Sequence, residues 1–192
     1  NSYRFSLTTN GINYHEEKVQ RFIEKNKNHL SIGITIDGTP MKHDLNRVWK
    51  GMVPERGSYN DVVRNIPLWL SQFPDSSTKV TISSTDLPYI KESVLHLYSL
   101  GIHTVNINCV FENVWQNEDD KIFEEQLYEL ADYIIDNELY KDYSCSLFDE
   151  RLGKPLDQLK DTQNWCGSGK MLSIDAAGNF YQLSGAPPGA DF

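Results

Sequence analysis

The stretch Ile34–Arg47, ITIDGTPMKHDLNR, is the densest group of polar side chains in the chain. Thr35 offers a hydroxyl, Asp37 a carboxylate, His43 an imidazole and Arg47 a guanidinium. An arginine presents a planar fork that grips a carboxylate through two parallel hydrogen bonds. A threonine on the adjoining strand can bond the same ligand. The same residues, with Asp44 among them, also suit a loop held by an Asp–Arg pair and Asx-type turns. The residue types alone leave both readings open, with His43 read as a loop residue rather than a general base, and they assign no catalytic residue.

The cysteines are the second place to look for chemistry. Cys109, Cys145 and Cys166 are an odd, widely spaced set, which makes no disulfide framework. A reducing, cytoplasmic setting fits them. Cys109, in VNINCVF, reads as a small apolar residue buried in a strand. Cys145, in DYSCSLFDE, reads as a structural or exposed thiol. Cys166 opens CGSGKMLSIDAAGNFYQL, a hairpin-like segment with no second thiolate nearby. Trp115 and the carboxylates of FENVWQNEDD follow a strand and could line a substrate groove; a solvated helix start is the plainer account.

These residues need elements to position them. Tyr3, Phe5 and Leu7 alternate with polar residues as in a strand, and TTNG then signals a turn. Asn13 is placed to cap a helix running to about Asn28, with Val19, Phe22, Ile23 and Asn26 on one stripe. LSIGITID (30–37) is a second strand, followed by a turn-rich stretch from Gly38 to Gly57. Ser58 and Asp61 have capping-box spacing before a helix that Pro67 should kink or divide. STKVTISS (77–84) is a third strand, Asp86 caps the next helix, and Gly101 stops it. HTVNINCVF (103–111) is a fourth strand, and a helix spans about 118–138. Ala177-Gly178 is placed to turn the last hairpin.

Four alternating strand–helix units are the mark of an α/β fold with a parallel sheet and right-handed crossovers. Ligands in such folds gather at the carboxyl ends of the strands. That directs attention to the loops after residues 9, 37, 84 and 111. The 192 residues are 39% hydrophobic, enough for a packed core. A net charge of −9 argues against a nucleic-acid surface. No apolar run is long enough for a membrane helix, and the first residues are unlike a signal peptide.

TTNG, SIGITIDGTPMKHDLNR, GSYNDVVRNI and CGSGKMLSIDAAGNFY, in that order, resemble landmarks of radical S-adenosylmethionine enzymes carrying a SPASM domain. That family includes peptide maturases and anaerobic sulfatase-maturating enzymes. The resemblance implies a partial (β/α)6 barrel of the radical SAM type, of which about four βα units, strands three to six, are present. On it, 1–141 are barrel, 142–165 a connecting segment, 166–183 the start of the SPASM hairpin and 184–192 a flexible tail.

The resemblance also implies roles. Thr35 matches the hydroxyl that binds S-adenosylmethionine (AdoMet), and Arg47 the arginine that binds its carboxylate. Val110 matches the apolar residue packed on the adenine, and Asp37 would orient the ribose or the loop. Cys166 matches the first ligand of an auxiliary [4Fe-4S] cluster; the second would fall at position 183, which is Leu183, so Cys166 is expected to be a free thiol here. The Cys-x3-Cys-x2-Cys loop that holds the reducing cluster has no counterpart in the sequence.

The implied function is modification of a peptide or protein, such as thioether formation, by 5′-deoxyadenosyl radical hydrogen abstraction. The chain alone is expected to be catalytically incomplete and without a cluster. Formylglycine formation in a sulfatase is the nearest rival, and a non-catalytic cofactor- or peptide-binding module the next. An exposed strand edge at 3–9 is expected to favour self-association.

Overall fold

A computed structural model describes residues 4–52, 54–150, 172–174 and 177–182. They fall in two units, 1–150 and 151–192. The larger unit runs β1 (Phe5–Thr9), α1 (Glu17–Asn26), β2 (Leu30–Ile34), α2 (Pro40–Asn46), α3 (Tyr59–Val63), α4 (Ile66–Gln72), β3 (Ser77–Ile82), α5 (Ile90–Ser99), β4 (Thr104–Cys109), α6 (Asp119–Asp136) and β5 (Ser144–Cys145). All five strands run parallel. β1 pairs with β2, β3 with β4 and β4 with β5.

The fifth strand corrects the count of four. Ser144 and Cys145 pair with Thr104 and Val105, but two residues are too few to display a period-2 pattern. They lie in the stretch expected to be a connecting segment.

β2 and β3 meet through a single parallel bridge, Thr35 to Lys79. Side chains replace the rest of the ladder. Trp69 Nε1 donates to Ile32 O (2.8 Å), and Thr78 Oγ donates to Ile34 O (2.7 Å) while accepting from Ile36 N (3.3 Å). Both side chains are fully buried, where unpaired backbone groups would cost about 1–3 kcal/mol each.

The strands have two unlike faces because successive side chains alternate. Leu30, Ile32, Ile34 and Ile36 of the β2 run, Val80 and Ile82 of β3, and Val105 and Ile107 of β4 are buried. They form one core with Ile23 of α1, Val62 of α3, Trp69 of α4, Val94 and Leu97 of α5, and Leu130 of α6. The alternate positions are Ser31, Gly33, Thr35, Ser77, Lys79, Thr81, Asn106 and Asn108, all half-buried or exposed. The helices therefore cover the aliphatic face, and the polar face is open among the described residues.

Helix boundaries follow their capping chemistry. α1 starts at Glu17 without a side-chain cap, and Asn13 contributes only its carbonyl, which accepts Glu16 N (3.0 Å). Phe22 is outward rather than on the buried stripe. Ser83 is the true cap of the turn before α5, in a capping box with Asp86. Pro67 sits in the first turn of α4, dividing it from α3 and tolerated there because that N–H has no helical partner. Gly101, at φ +83°, ends α5.

In the second unit, β6 (Leu172–Ile174) and β7 (Phe180–Gln182) form an antiparallel hairpin, with Gly178 at φ +87° in the connection. Cys166 and Leu183 lie outside the described residues, as does the expected tail.

Candidate functional site

The loop expected to be turn-rich holds a helix, α2, and this is the main difference at the site. Thr39 caps it, with its side chain accepting Lys42 N (3.3 Å), and Pro40 occupies its first turn. The helix turns Lys42 and His43 inward, 2% and 0% exposed, and leaves Met41 and Leu45 outside. It ends at Arg47, whose N–H bonds His43 O.

Gly38 is what lets the chain leave β2 this way. Its φ is +130°, and a Cβ there would lie 2.3 Å from Ser93 Cβ. No other residue fits both conditions.

Asp37 is the hub of the site. It is 3% exposed. Its carboxylate is gripped by Arg47 through Nε and Nη2, and Oδ1 accepts Thr81 N at 3.1 Å. Lys42 Nζ donates to Thr81 O at 2.8 Å and lies 3.6 Å from Asp86. The loop after β2 thus holds both sides of the Thr81 backbone at the end of β3. Burial pulls the Lys42 amine below the usual lysine range, with Asp37 and Asp86 opposing that drift.

His43 is part of the same frame. Its Nδ1 accepts Asp37 N (3.1 Å), which puts the proton on Nε2, 3.1 Å from Ser58 Oγ. Ser58 Oγ in turn donates to Arg47 O (2.8 Å). Burial lowers its pKa to about 4, so the ring is neutral near pH 7. A neutral, doubly bonded, fully buried imidazole is a structural group.

Thr35 and Val110 occupy the polar face at the carboxyl ends of β2 and β4. Thr35 N is bonded to Thr9 O (2.9 Å), which fixes its backbone between β1 and β3. Val110 N bonds Ile82 O (3.0 Å), and Trp115 Nε1 donates to Val110 O (3.2 Å). Trp115 therefore braces this strand end, and Asp119 is an internal acceptor for Gln116 N and Ser84 Oγ.

Arg47 is paired, yet not exhausted. Asp37 takes one side of the guanidinium, and the edge formed by Nη1 and Nη2 has no further partner among the described residues. That edge retains a two-donor fork for a carboxylate. Arg47 lines a cavity of about 280 Å³ together with Asn10, His43, Trp49, Ser58 and Val62 among others.

The loop does contain the expected Asp–Arg pair, and the aspartate is Asp37 rather than Asp44. Its residues could not reveal Lys42, Ser58, Thr78 or Thr81, because lysine and small hydroxyl residues read as surface. The Thr39-Pro40 pair was the available signal for α2.

Of the two described cysteines, Cys109 departs from expectation and Cys145 fits the structural alternative. Cys109 is exposed although it continues the alternation that buries Ile107, and β4 ends there. Cys145 is buried, and burial pushes its thiol up to about 11. Among the described residues no three His, Cys, Asp or Glu side chains gather as a metal site. No described helix is long and apolar enough to cross a membrane.

No protein-family model and no curated protein matches the chain. Solved structures of anSMEcpe, an anaerobic sulfatase-maturating enzyme of the radical AdoMet type, do match. Native anSMEcpe with bound AdoMet superposes with a TM-score of 0.59 and 20% identity over 80% of this chain and 44% of that one. The same enzyme with AdoMet and Cp18Cys peptide gives 0.60 and 19% identity over 89% of this chain and 47% of that one. With Kp18Cys peptide the values are 0.58 and 19% over 76% and 41%. The chain spans less than half the length of these structures. On this likeness, the chain has the fold of part of a radical AdoMet maturase.

Proposed function

We propose that the chain is the cofactor- and substrate-binding part of a radical AdoMet enzyme that modifies a peptide or protein. The observation that carries this is the site itself. Thr35, the Asp37-anchored Arg47 and Val110 stand at the carboxyl-end rim of a parallel sheet, where such folds bind ligands.

Each residue fits one part of AdoMet. The free edge of Arg47 takes the carboxylate, the Thr35 hydroxyl bonds the amino-acid or ribose portion, and Val110 packs on the adenine. Asp37 and Lys42 bind nothing themselves; they fix Arg47 and the end of β3. AdoMet, when bound beside a reducing cluster, supplies hydrogen abstraction through a 5′-deoxyadenosyl radical. Residues 1–192 contain no Cys-x3-Cys-x2-Cys, so the isolated chain should bind AdoMet without cleaving it. Cys166 would ligate an auxiliary cluster in the SPASM-type hairpin.

The finer assignments belong to the same reading: strands of a six-stranded partial barrel, then the SPASM start at 166–183. The product is a side-chain modification such as a thioether. Formylglycine formation is the second reading, favoured by the likeness to a sulfatase-maturating enzyme. The two part on whether the modified peptide acquires a crosslink or an aldehyde.

Calorimetric titration with AdoMet tests the site. Arg47→Ala removes charge-assisted bonds worth about 1.5–3 kcal/mol, a loss of roughly 10- to 150-fold. Thr35→Val should weaken binding about 2- to 10-fold, with Thr35→Ser retaining it. Equal AdoMet affinity in Arg47→Ala and the unaltered chain would sink the assignment.

A further inference from the structure

The open face of the sheet is uniformly Ser, Thr, Asn and Gly along its strands, apart from one charge. Lys79 stands in the middle of β3, exposed, its backbone in the ladder and its ammonium without a hydrogen bond or ion pair to any described residue. Its neighbours across the sheet are Thr35 on β2 and Asn106 on β4, which share its register row. Asn106 is held in orientation by a bond from Nδ2 to Ser77 Oγ (2.8 Å), and its second N–H has no partner among the described residues. The row therefore offers an ammonium flanked by a hydroxyl and an amide.

Parallel sheets are covered on both faces, and a lysine is a poor choice for the centre of a strand. The occupant of this face must therefore satisfy polar donors and one cation. The carboxylate on the same face, Asp37, is already occupied by Arg47 and Thr81. In a chain of net charge −9, an isolated cation on a polar surface is complementary to an anion brought from outside.

We infer that Lys79 receives the carboxylate of an aspartate or glutamate side chain on the bound peptide, making it a specificity residue for acidic substrates. The inference rests on the peptide-modifying function proposed above. A carboxylate could also come from AdoMet, but Arg47 provides a fork for it at the rim. Lys79 shares its register row with Thr35, so the AdoMet affinity of Lys79→Gln is what separates the two sources of a carboxylate.

A random heptapeptide display library, selected on the full chain with AdoMet present, tests this. The unaltered chain should enrich Asp or Glu at one position at least fivefold. Lys79→Gln should abolish the preference, and Lys79→Glu should exchange it for Lys or Arg. A synthetic peptide from the first pool should lose tenfold or more in affinity on Lys79→Gln. Its Glu-to-Lys counterpart should regain affinity on Lys79→Glu.

An acidic preference that survives Lys79→Glu overturns the inference, as does a pool with no acidic preference or no retained peptide. AdoMet affinity that falls with Lys79→Gln also overturns it, since the carboxylate would then be the cofactor's. Absence of AdoMet binding in every variant would count against the cofactor reading alone, while a Lys79-dependent acidic pool would still stand.

Discussion

Asp37→Asn removes one charge from the junction of β2 and β3 and almost no volume. An asparagine oxygen can keep the Thr81 N–H bond, 3.1 Å in the native chain. Its amide nitrogen then faces Arg47 Nε–H, donor against donor. Lys42 loses one of the two carboxylates that stabilise its charge and keeps Asp86 at 3.6 Å.

Hydrogen bonds to charged groups contribute about 1.5–3 kcal/mol, and orphaning one member of a buried pair costs about 3–5 kcal/mol. The Arg47 side chain is 31% exposed, so water recovers part of that loss. The expected destabilisation is about 2–3 kcal/mol, read as a lower urea midpoint with an unchanged slope. The melting temperature should drop by about 4–12 °C for a chain of this size. Adding Arg47→Met removes the opposed donor, so the double variant should be at least about 1 kcal/mol more stable than additivity requires. A loss under about 0.5 kcal/mol, or strict additivity, would refute the hub role of Asp37.

Other consequences can be measured on the same protein. Gly38→Ala combines a φ of +130° with a clash at 2.3 Å against Ser93, and should destabilise by about 3 kcal/mol or more; wild-type-like melting would contradict the tight passage. Iodoacetamide at pH 8 with mass mapping should label exposed Cys109 in the native chain and Cys145 only after denaturation, the latter thiol being buried and pushed up to about 11. His43 has a folded pKa lowered from 6.5 to about 4. The unfolded state therefore binds more protons between those values, and this stability is complete above about pH 6.5 and lost as pH falls toward 4. The loss attributable to the ring is about 3 kcal/mol, at about 1.4 kcal/mol per pH unit. His43→Gln should flatten that part of the acid arm, and an unchanged slope would show that folding does not lower the pKa of this ring.

Much of this architecture is readable without coordinates because its strands are patterned on one face only. LSIGITID puts aliphatic residues at every second position and STKVTISS does so at Val80 and Ile82, which locates both the strands and the core. Thr35, Asp37 and Arg47 are legible as a group because they share one loop. β5 was not legible, since two residues have no period. α2 was not legible, since its inner face is Lys42 and His43 rather than aliphatic. A lysine at 2% exposure breaks the rule that charges stay outside, and only the tertiary partners Thr81 and Asp86 make it tolerable. Cys109 failed for the converse reason: the alternation predicted burial, but the strand ends there.

The separation of β2 from β3 explains why so many polar groups are buried at this rim. With one backbone bridge between the strands, the carbonyls and amides of an ordinary ladder need other partners. Trp69 and Thr78 serve β2, while Asp37 and Lys42 serve Thr81. His43 and Ser58 then tie the far end of α2 back to the same loop. These buried groups answer a backbone demand, so their unusual environments are not by themselves signs of catalysis. Among the described residues, no internal side-chain bond uses up the Thr35 hydroxyl, the outer edge of Arg47 or, in the same row as Thr35, the Lys79 amine. The proposed ligand contacts draw on these and on the Val110 side chain.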